Sequence, residues 1–222
     1  GHMARRKSVW KILSVGGSII IPKTGFDVNF LRKFRAFILQ RLKHGEKIIL
    51  VVGGGATSRA YQQAAAQVRK LTTEELDWIG IHATIYNAQF VRLLMREYAH
   101  SEVITNPTKK IKTDKPIIVA AGWKPGCSTD HDTVLLAKTY GVKEVLNLSN
   151  IPYVYDKDPN LHADAKKIEN IDWKTFRRDI VGNAWTAGKN APFDPIASRA
   201  AEKLELKVSI LNGADLAEVG RA

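Results

Sequence analysis

The sequence predicts an α/β fold, a three-layer α/β/α sandwich with a mostly parallel central sheet. Three observations predict it: short apolar runs of buried-strand length, stretches of helical periodicity between them, and glycine-rich turns where strands stop. Val9 to Val15 is the first such run and ends in Gly16-Gly17-Ser18. From Asp27, a good N-cap, Phe30, Leu31, Phe34, Phe37, Ile38 and Leu42 recur at helical spacing with basic residues largely between them. His44-Gly45 closes that helix, and Lys47 to Val52 is a second strand that runs into Gly53-Gly54-Gly55. A helix follows to about Lys70, and then Thr72 to Glu75 forms a capping box for a helix whose pattern continues to Tyr98. Ile117 to Ala121 is a third strand, followed by the loop Gly122-Trp123-Lys124-Pro125-Gly126, a helix over Thr129 to Tyr140 and a strand over Glu144 to Leu148. A helix from Asp194 to Leu204 and a strand from Lys207 to Leu211 complete the alternation.

With 222 residues the chain is long enough for a sizeable core. Gly1-His2-Met3 is read as the remnant of a cleaved tag, leaving residues 4–222 as a single domain with a weak seam near residues 142–145. No apolar run reaches bilayer-spanning length, no signal peptide is visible, and the lone Cys127 cannot form an internal disulfide. The expectation is therefore a cytoplasmic protein. Its net charge of +12 is unevenly placed: residues 1–70 carry 14 Lys and Arg against Asp27 and Glu46, while residues 71–222 balance. Such asymmetry can attract anionic partners, nucleic acid included, or be a solvated helix face with a basic tail. The lack of an aromatic-interleaved basic motif favours the second.

The glycine-rich turns at 16–18, 53–55 and 122–128 are the strongest functional signal. In parallel sheets ligands bind beyond the carboxyl ends of strands. Glycine lets backbone amides approach a phosphate closely, and a helix N-terminus adds its dipole. The P-loop pattern is absent, since Gly188-Lys189 is followed by Asn190 and lacks its upstream glycine, and the dinucleotide fingerprint is absent too. Arg59 stands early in a helix, where a cation gains nothing from the dipole, and so points to an anionic ligand.

Over Lys11 to about Asp215 these residues resemble the amino acid kinase superfamily, and within it the archaeal-type UMP kinases. Ile12-Leu13-Ser14-Val15-Gly16-Gly17-Ser18 is similar to the family's first strand, which implies that Gly16, Gly17 and Ser18 line the phosphates of ATP and that Gly17 serves the transfer itself. Val51 to Gly55 with Arg59 resembles the acceptor loop, implying UMP contacts for Gly54, Gly55 and Arg59. Asp77-Trp78-Ile79-Gly80-Ile81, with Asn87 later, resembles the segment whose aspartate meets the acceptor ribose. Gly122 to Asp130 looks like the element that reads the uracil and its phosphate, implying roles for Gly122, Pro125, Gly126, Cys127, Ser128 and Thr129. Ser149, Asn150, Tyr155 and Asp158 resemble the adenine and ribose site of ATP. Ala187 to Pro195 resembles the catalytic element, with Lys189 and Asp194 as its charged members. The resemblance further implies ATP and Mg²⁺ as cofactors, with the ion carried on nucleotide phosphates and no protein metal site. It also implies an acceptor lobe of about residues 4–143, an ATP lobe of about 144–222, and a homo-oligomer, a hexamer built from dimers.

Structural roles stand beside these. Asp77 in a first helical turn could serve the dipole, Thr129 to Asp132 could be only a cap and helix start, Tyr155 could be core, and Asp194-Pro195 is an ordinary helix entry. The family's strand-one lysine is replaced by Ser14, and Lys11 points to the opposite face of the strand, which leaves Lys189 as the better cation. Pro152-Tyr153 replaces the usual Asp-Gly of the nucleotide loop. These departures keep open a non-catalytic nucleotide- or oxyanion-binding relative, or one that binds RNA. An isopentenyl phosphate kinase is a further alternative, but it would carry a histidine where Ala56 to Ala60 has none.

Overall fold

The computed structural model describes residues 10–149, 154–155, 163, 167–168 and 195–212. In chain order the elements are β1 (Trp10–Val15), α1 (Gly17–Ile20), α2 (Val28–Lys43), β2 (Lys47–Val52), α3 (Gly55–Val68), α4 (Thr73–Leu94), β3 (Ile117–Ala120), α5 (Thr129–Tyr140) and β4 (Glu144–Ser149). They are followed by β5 (Val154–Tyr155), β6 (Lys167–Ile168), α6 (Pro195–Lys203) and β7 (Lys207–Asn212). Five strands form one sheet in the order β3-β2-β1-β4-β7, every neighbouring pair parallel. β5 and β6 pair antiparallel as a separate ribbon.

Alternation along the strands divides the core into two. Leu13, Val15, Ile48, Leu50, Val52, Ile117 and Val119 pack with Phe34, Phe37 and Ile38 of α2 and Ala88 and Val91 of α4. Ile12, Ile49, Val51, Ile118 and Ala120 face the other way, onto Val134, Leu136 and Ala137 of α5 and Ala197 and Ala201 of α6. β1, β2 and β3 therefore bury both faces, which is why the sequence reads there as continuous apolar runs. The sandwich and its parallel sheet match the sequence-based expectation.

Caps behave as their residues predict. The Asp27 side chain accepts from the Phe30 amide at 3.0 Å, and Thr72 and Glu75 complete the capping box. Four elements differ from expectation, two of them β5 and β6, whose two residues each leave no alternating pattern to read. α4 stops at Leu94 instead of reaching Tyr98, because the Met95 amide turns back to the Arg92 and Leu93 carbonyls and the following residues pair with β3, His100 N–H donating to Ile117 O at 2.8 Å. The one-turn helix α1 stands where the sequence predicts only a turn; four residues leave no periodic signal, although its Ile19 and Ile20 are buried.

α3 lies apart from the sheet. None of its residues is buried, and no charged residue falls between Arg59 and Arg69. At the opposite, amino-terminal edge of the sheet, Lys11 pairs with Glu46, which also takes Arg41 at 2.7 Å. Phe34, with no exposed surface, stands at the centre of the α2 face. Phe34→Ala is expected to destabilise the fold by about 3–5 kcal/mol, as measured by chemical denaturation.

Candidate active site

β1 is the central strand, with β2 and β3 on one side and β4 and β7 on the other, so the chain reverses direction of sheet growth between β1 and β4. In open α/β sheets the crevice beyond such a reversal is where ligands sit. Gly16-Gly17-Ser18 occupies that position: Gly16 N–H donates to Leu148 O of β4 at 3.1 Å, and Gly53 N–H donates to Val15 O at 3.0 Å.

The turns after β1 and β2 are pressed together. A Cβ on Gly17 would lie 2.5 Å from the Gly54 carbonyl carbon and 2.6 Å from the Gly55 nitrogen. Gly55 has φ +56, and a Cβ there would collide with the Ser18 amide. Only glycine fits either place. Ser18 then ties the two turns by its hydroxyl, which accepts from Ala56 N–H at 3.0 Å and from Arg59 Nη2 at 3.3 Å. The α3 N-terminus thus opens onto the turn after β1. Among the described residues the amides of Gly54 and Gly55 donate to no protein acceptor, as the first amides of a helix do unless capped.

Beside these turns is a cleft of about 380 Å³, whose walls come from α3, α4 and the loop from β3 to α5. Gly54, Gly55 and Arg59 line it from α3, and Asp77, Gly80, Ile81 and Thr84 from α4. Gly122, Lys124, Pro125, Gly126, Cys127, Ser128 and Thr129 close it. All ten residues that the sequence analysis assigned to the acceptor meet in this one cavity. Asp77 is the fifth residue of α4, past its first turn, whose acids are Glu74 and Glu75, so the dipole does not account for it. At the far wall Ser128 caps α5, its hydroxyl accepting from His131 N–H at 3.1 Å, so the α5 N-terminus also abuts the cleft. Two helix N-termini, the Arg59 guanidinium and the Lys124 ammonium therefore surround one space, with Asp77 as the carboxylate on its wall. Such a set suits an anion with hydroxyl groups attached.

The sequence analysis missed four lining residues with chemical character: Ser58, Gln62, Thr84 and Lys124. Lys124 rests over the Trp123 ring, 4.1 Å from its centroid, which restrains a long flexible side chain. Adjacent basic and aromatic residues in a glycine-punctuated loop were the available signal. Burial, then the charge of Asp132, pushes the Cys127 thiol above its ordinary range, partly opposed by Lys124.

On the other side of β1, Ser149 ends β4, while Tyr155 ends β5 in the separate ribbon. Asn150, Asp158, Lys189 and Asp194 lie outside the described residues, as does Pro152. Ser14 is buried within the sheet, and Lys11 is engaged by Glu46 at the opposite end of β1 from the glycine turn.

The fold and this glycine-lined crevice define a class: the amino acid kinase family model matches residues 10–212, and the chain belongs to that family. It is 32% identical over 207 residues to the uridylate kinase of Methanococcus aeolicus, covering 91% of this chain and 90% of that one. The uridylate kinase of Pyrococcus abyssi is 30% identical over 206 residues, covering 92% and 90%. Among solved structures, uridylate kinase from Archaeoglobus fulgidus superposes with a TM-score of 0.78 at 23% identity over 96% of this chain and 95% of that one. UMP kinase from Bacillus anthracis gives 0.76 at 19% identity over 96% and 90%. These two likenesses show the fold.

Two outcomes are expected. Arg59→Ala raises the acceptor KM and lowers kcat, the pattern of a group that binds a phosphate as it reacts, in steady-state kinetics. Cys127 reacts slowly with iodoacetamide at neutral pH, its rate rising only above the roughly 8.5 of an ordinary thiol.

Proposed function

We propose that this protein transfers the γ-phosphoryl group of ATP to UMP, giving UDP and ADP. The observation that carries this reading is the cleft in which ten acceptor residues, two helix N-termini, Arg59 and Lys124 converge next to the Gly16-Ser18 turn. Relatives of about 30% identity along nine-tenths of the chain, named uridylate kinases, support the same choice.

Phosphoryl transfer asks a protein mainly to align two anions and to neutralise the charge that spreads over the moving group. The amides of Gly54 and Gly55, with Arg59, hold the acceptor phosphate against the turn after β1. Ser128 and Thr129 take its far side at the head of α5, and Asp77 accepts from the ribose hydroxyls. Gly16, Gly17 and Ser18 face the β- and γ-phosphates, while Ser149, Asn150, Tyr155 and Asp158 hold the nucleoside of ATP. Lys189 and Asp194 complete the catalytic centre. No general base is required, since the attacking phosphate oxygen is already ionised. The donors gathered here are amides and cations, which match phosphate oxygens. Mg²⁺ bound to the nucleotide phosphates supplies further charge neutralisation.

In this reading residues of about 4–143 serve the acceptor and those of about 144–222 serve ATP. We also read the protein as a cytoplasmic homo-oligomer, a hexamer built from dimers. The outer surface of α3 supports self-association, with Tyr61 65% and Val68 88% exposed and no charge between Arg59 and Arg69. The basic first third acts in part within the fold, Arg35 donating to Leu94 O at 2.8 Å and Arg41 to Glu46, which favours a structural role over nucleic-acid binding. Among the described residues no helix is long and apolar enough to cross a membrane.

A coupled assay over UMP, CMP, AMP, GMP and isopentenyl phosphate at saturating ATP and Mg²⁺ tests the assignment. UMP is expected to give the highest kcat/KM by a wide margin. Equal rates across acceptors would remove the specificity, and calorimetric binding of both nucleotides without ADP release would assign a binding protein instead.

A further inference from the structure

The acceptor cleft is assembled from two loops on different strands, and something must hold them at a fixed spacing. Asn87 and Thr84 stand one turn apart on the same face of α4, facing the ends of β2 and β3. Asn87 has no exposed surface, and its Nδ2 donates to Gly53 O at 3.0 Å and to Gly54 O at 3.3 Å. Thr84 is buried as well, 6% exposed. Its hydroxyl accepts from Gly122 N–H at 2.9 Å and donates to Ile81 O at 2.6 Å. Its methyl approaches the other loop, since a Cβ on Gly54 would sit 3.4 Å from Thr84 Cγ2. A Cβ on Gly122 would come 2.9 Å from Thr84 Oγ1, so the loop after β3 reaches the hydroxyl only because it begins with glycine.

We propose that Asn87 and Thr84 are positioning residues for the transfer: together they fix the distance between the two anion-binding loops and the direction in which their amides point. The inference rests on the kinase reading above. The physical basis is peptide planarity. In a trans peptide the carbonyl oxygen and the following amide hydrogen lie in one plane and point oppositely. Drawing the Gly53 and Gly54 oxygens onto the Asn87 carboxamide therefore turns the Gly54 and Gly55 N–H groups away from α4, toward the side where Ser18 and Arg59 meet. Gly54 O is also held by Ser58 N–H at 3.2 Å, so the carboxamide matters most for the Gly53–Gly54 peptide, where glycine on either side leaves the Gly54 N–H without a fixed aim once Asn87 is removed. Thr84 performs the matching task for Gly122 at the start of the loop that runs to Ser128 and Thr129. α4 thereby acts as a ruler whose two marks are a carboxamide and a hydroxyl. Asn87 stands behind the cleft wall and Thr84 is part of it, but the Thr84 hydroxyl is committed to Gly122 N–H and Ile81 O, so each side chain acts through backbone groups.

The test is a set of four variants of the full chain, each assayed with UMP and ATP varied separately and melted in parallel. Asn87→Asp preserves shape but sets a carboxylate against two carbonyls, and Asn87→Ala removes the group. Thr84→Val removes the hydroxyl, and Thr84→Ser retains it. Misplacing reacting groups by about an ångström costs on the order of 10²-fold, so both Asn87 variants are expected to lose roughly that much kcat, with the KM for ATP little changed. Thr84→Val leaves a buried amide without an acceptor and raises the KM for UMP about tenfold or more, while Thr84→Ser restores it to near the parent value. A purely structural role predicts otherwise: lower melting temperatures with kcat and both KM values of the folded fraction unchanged, or Thr84→Ser as impaired as Thr84→Val. Either result overturns the proposal. Should the Asn87 variants not fold, the Thr84 pair decides alone. Parent enzyme that binds UMP without turning it over would refute the kinase reading itself, an outcome distinct from active parent enzyme with unaffected variants.

Discussion

The structure depends on the contact between two backbones at the carboxyl ends of β1 and β2. Gly17 and the Gly53-Gly55 turn approach so closely that neither admits a side chain, and the left-handed conformation of Gly55 starts α3 at an angle that brings Ser18 against its first turn. That contact explains why α3 leaves the sheet and presents its N-terminus to the crevice. It also explains why Arg59 reaches Ser18 across 41 residues of sequence. A side chain at Gly17 would separate the turns and shift the walls of the cleft that α3 helps to form. The cost of such proximity is conformational freedom: glycine lowers stability in the unfolded balance, and the apolar strands on either side offset it.

Much of the architecture was legible because burial on both faces leaves a plain mark. Ile48 to Val52 and Ile117 to Ala120 have no polar interruption, and only a parallel sheet covered on both sides asks for that. Helix starts were legible where a side chain caps them, as with Asp27 and Thr72. The end of α4 was not. Leu94 to Tyr98 retain helical spacing, and what stops the helix is a bridge from Ala99 to Ile117, a tertiary pairing that no local pattern announces. α1 escaped notice for the opposite reason, being too short to show a period.

The site divides the same way. Glycines, Arg59 and Asp77 stood out because each is awkward where it is, and awkward residues invite a ligand explanation. The position of Asp77 beyond the first turn of α4 strengthens that reasoning, since dipole compensation no longer covers it. Thr84 and Lys124 did not stand out. A threonine inside a helix and a lysine in a loop are ordinary, and only the fold reveals that one meets the Gly122 amide and the other overhangs the cleft. The elements following β4 that resemble the ATP site lie largely outside the described residues, so sequence resemblance remains their basis.

The order of the strands has one more implication. Because β1 runs between the two halves of the sheet, whatever is bound beyond β2 and β3 and whatever is bound beyond β4 and β7 share a single partition wall, six residues long. Remodelling the loop after β3 to suit a different small molecule would leave that wall untouched, and the geometry of exchange across it would be inherited unchanged. A scaffold of this kind separates what is recognised from what is done to it, so one may drift while the other is conserved by simple mechanics.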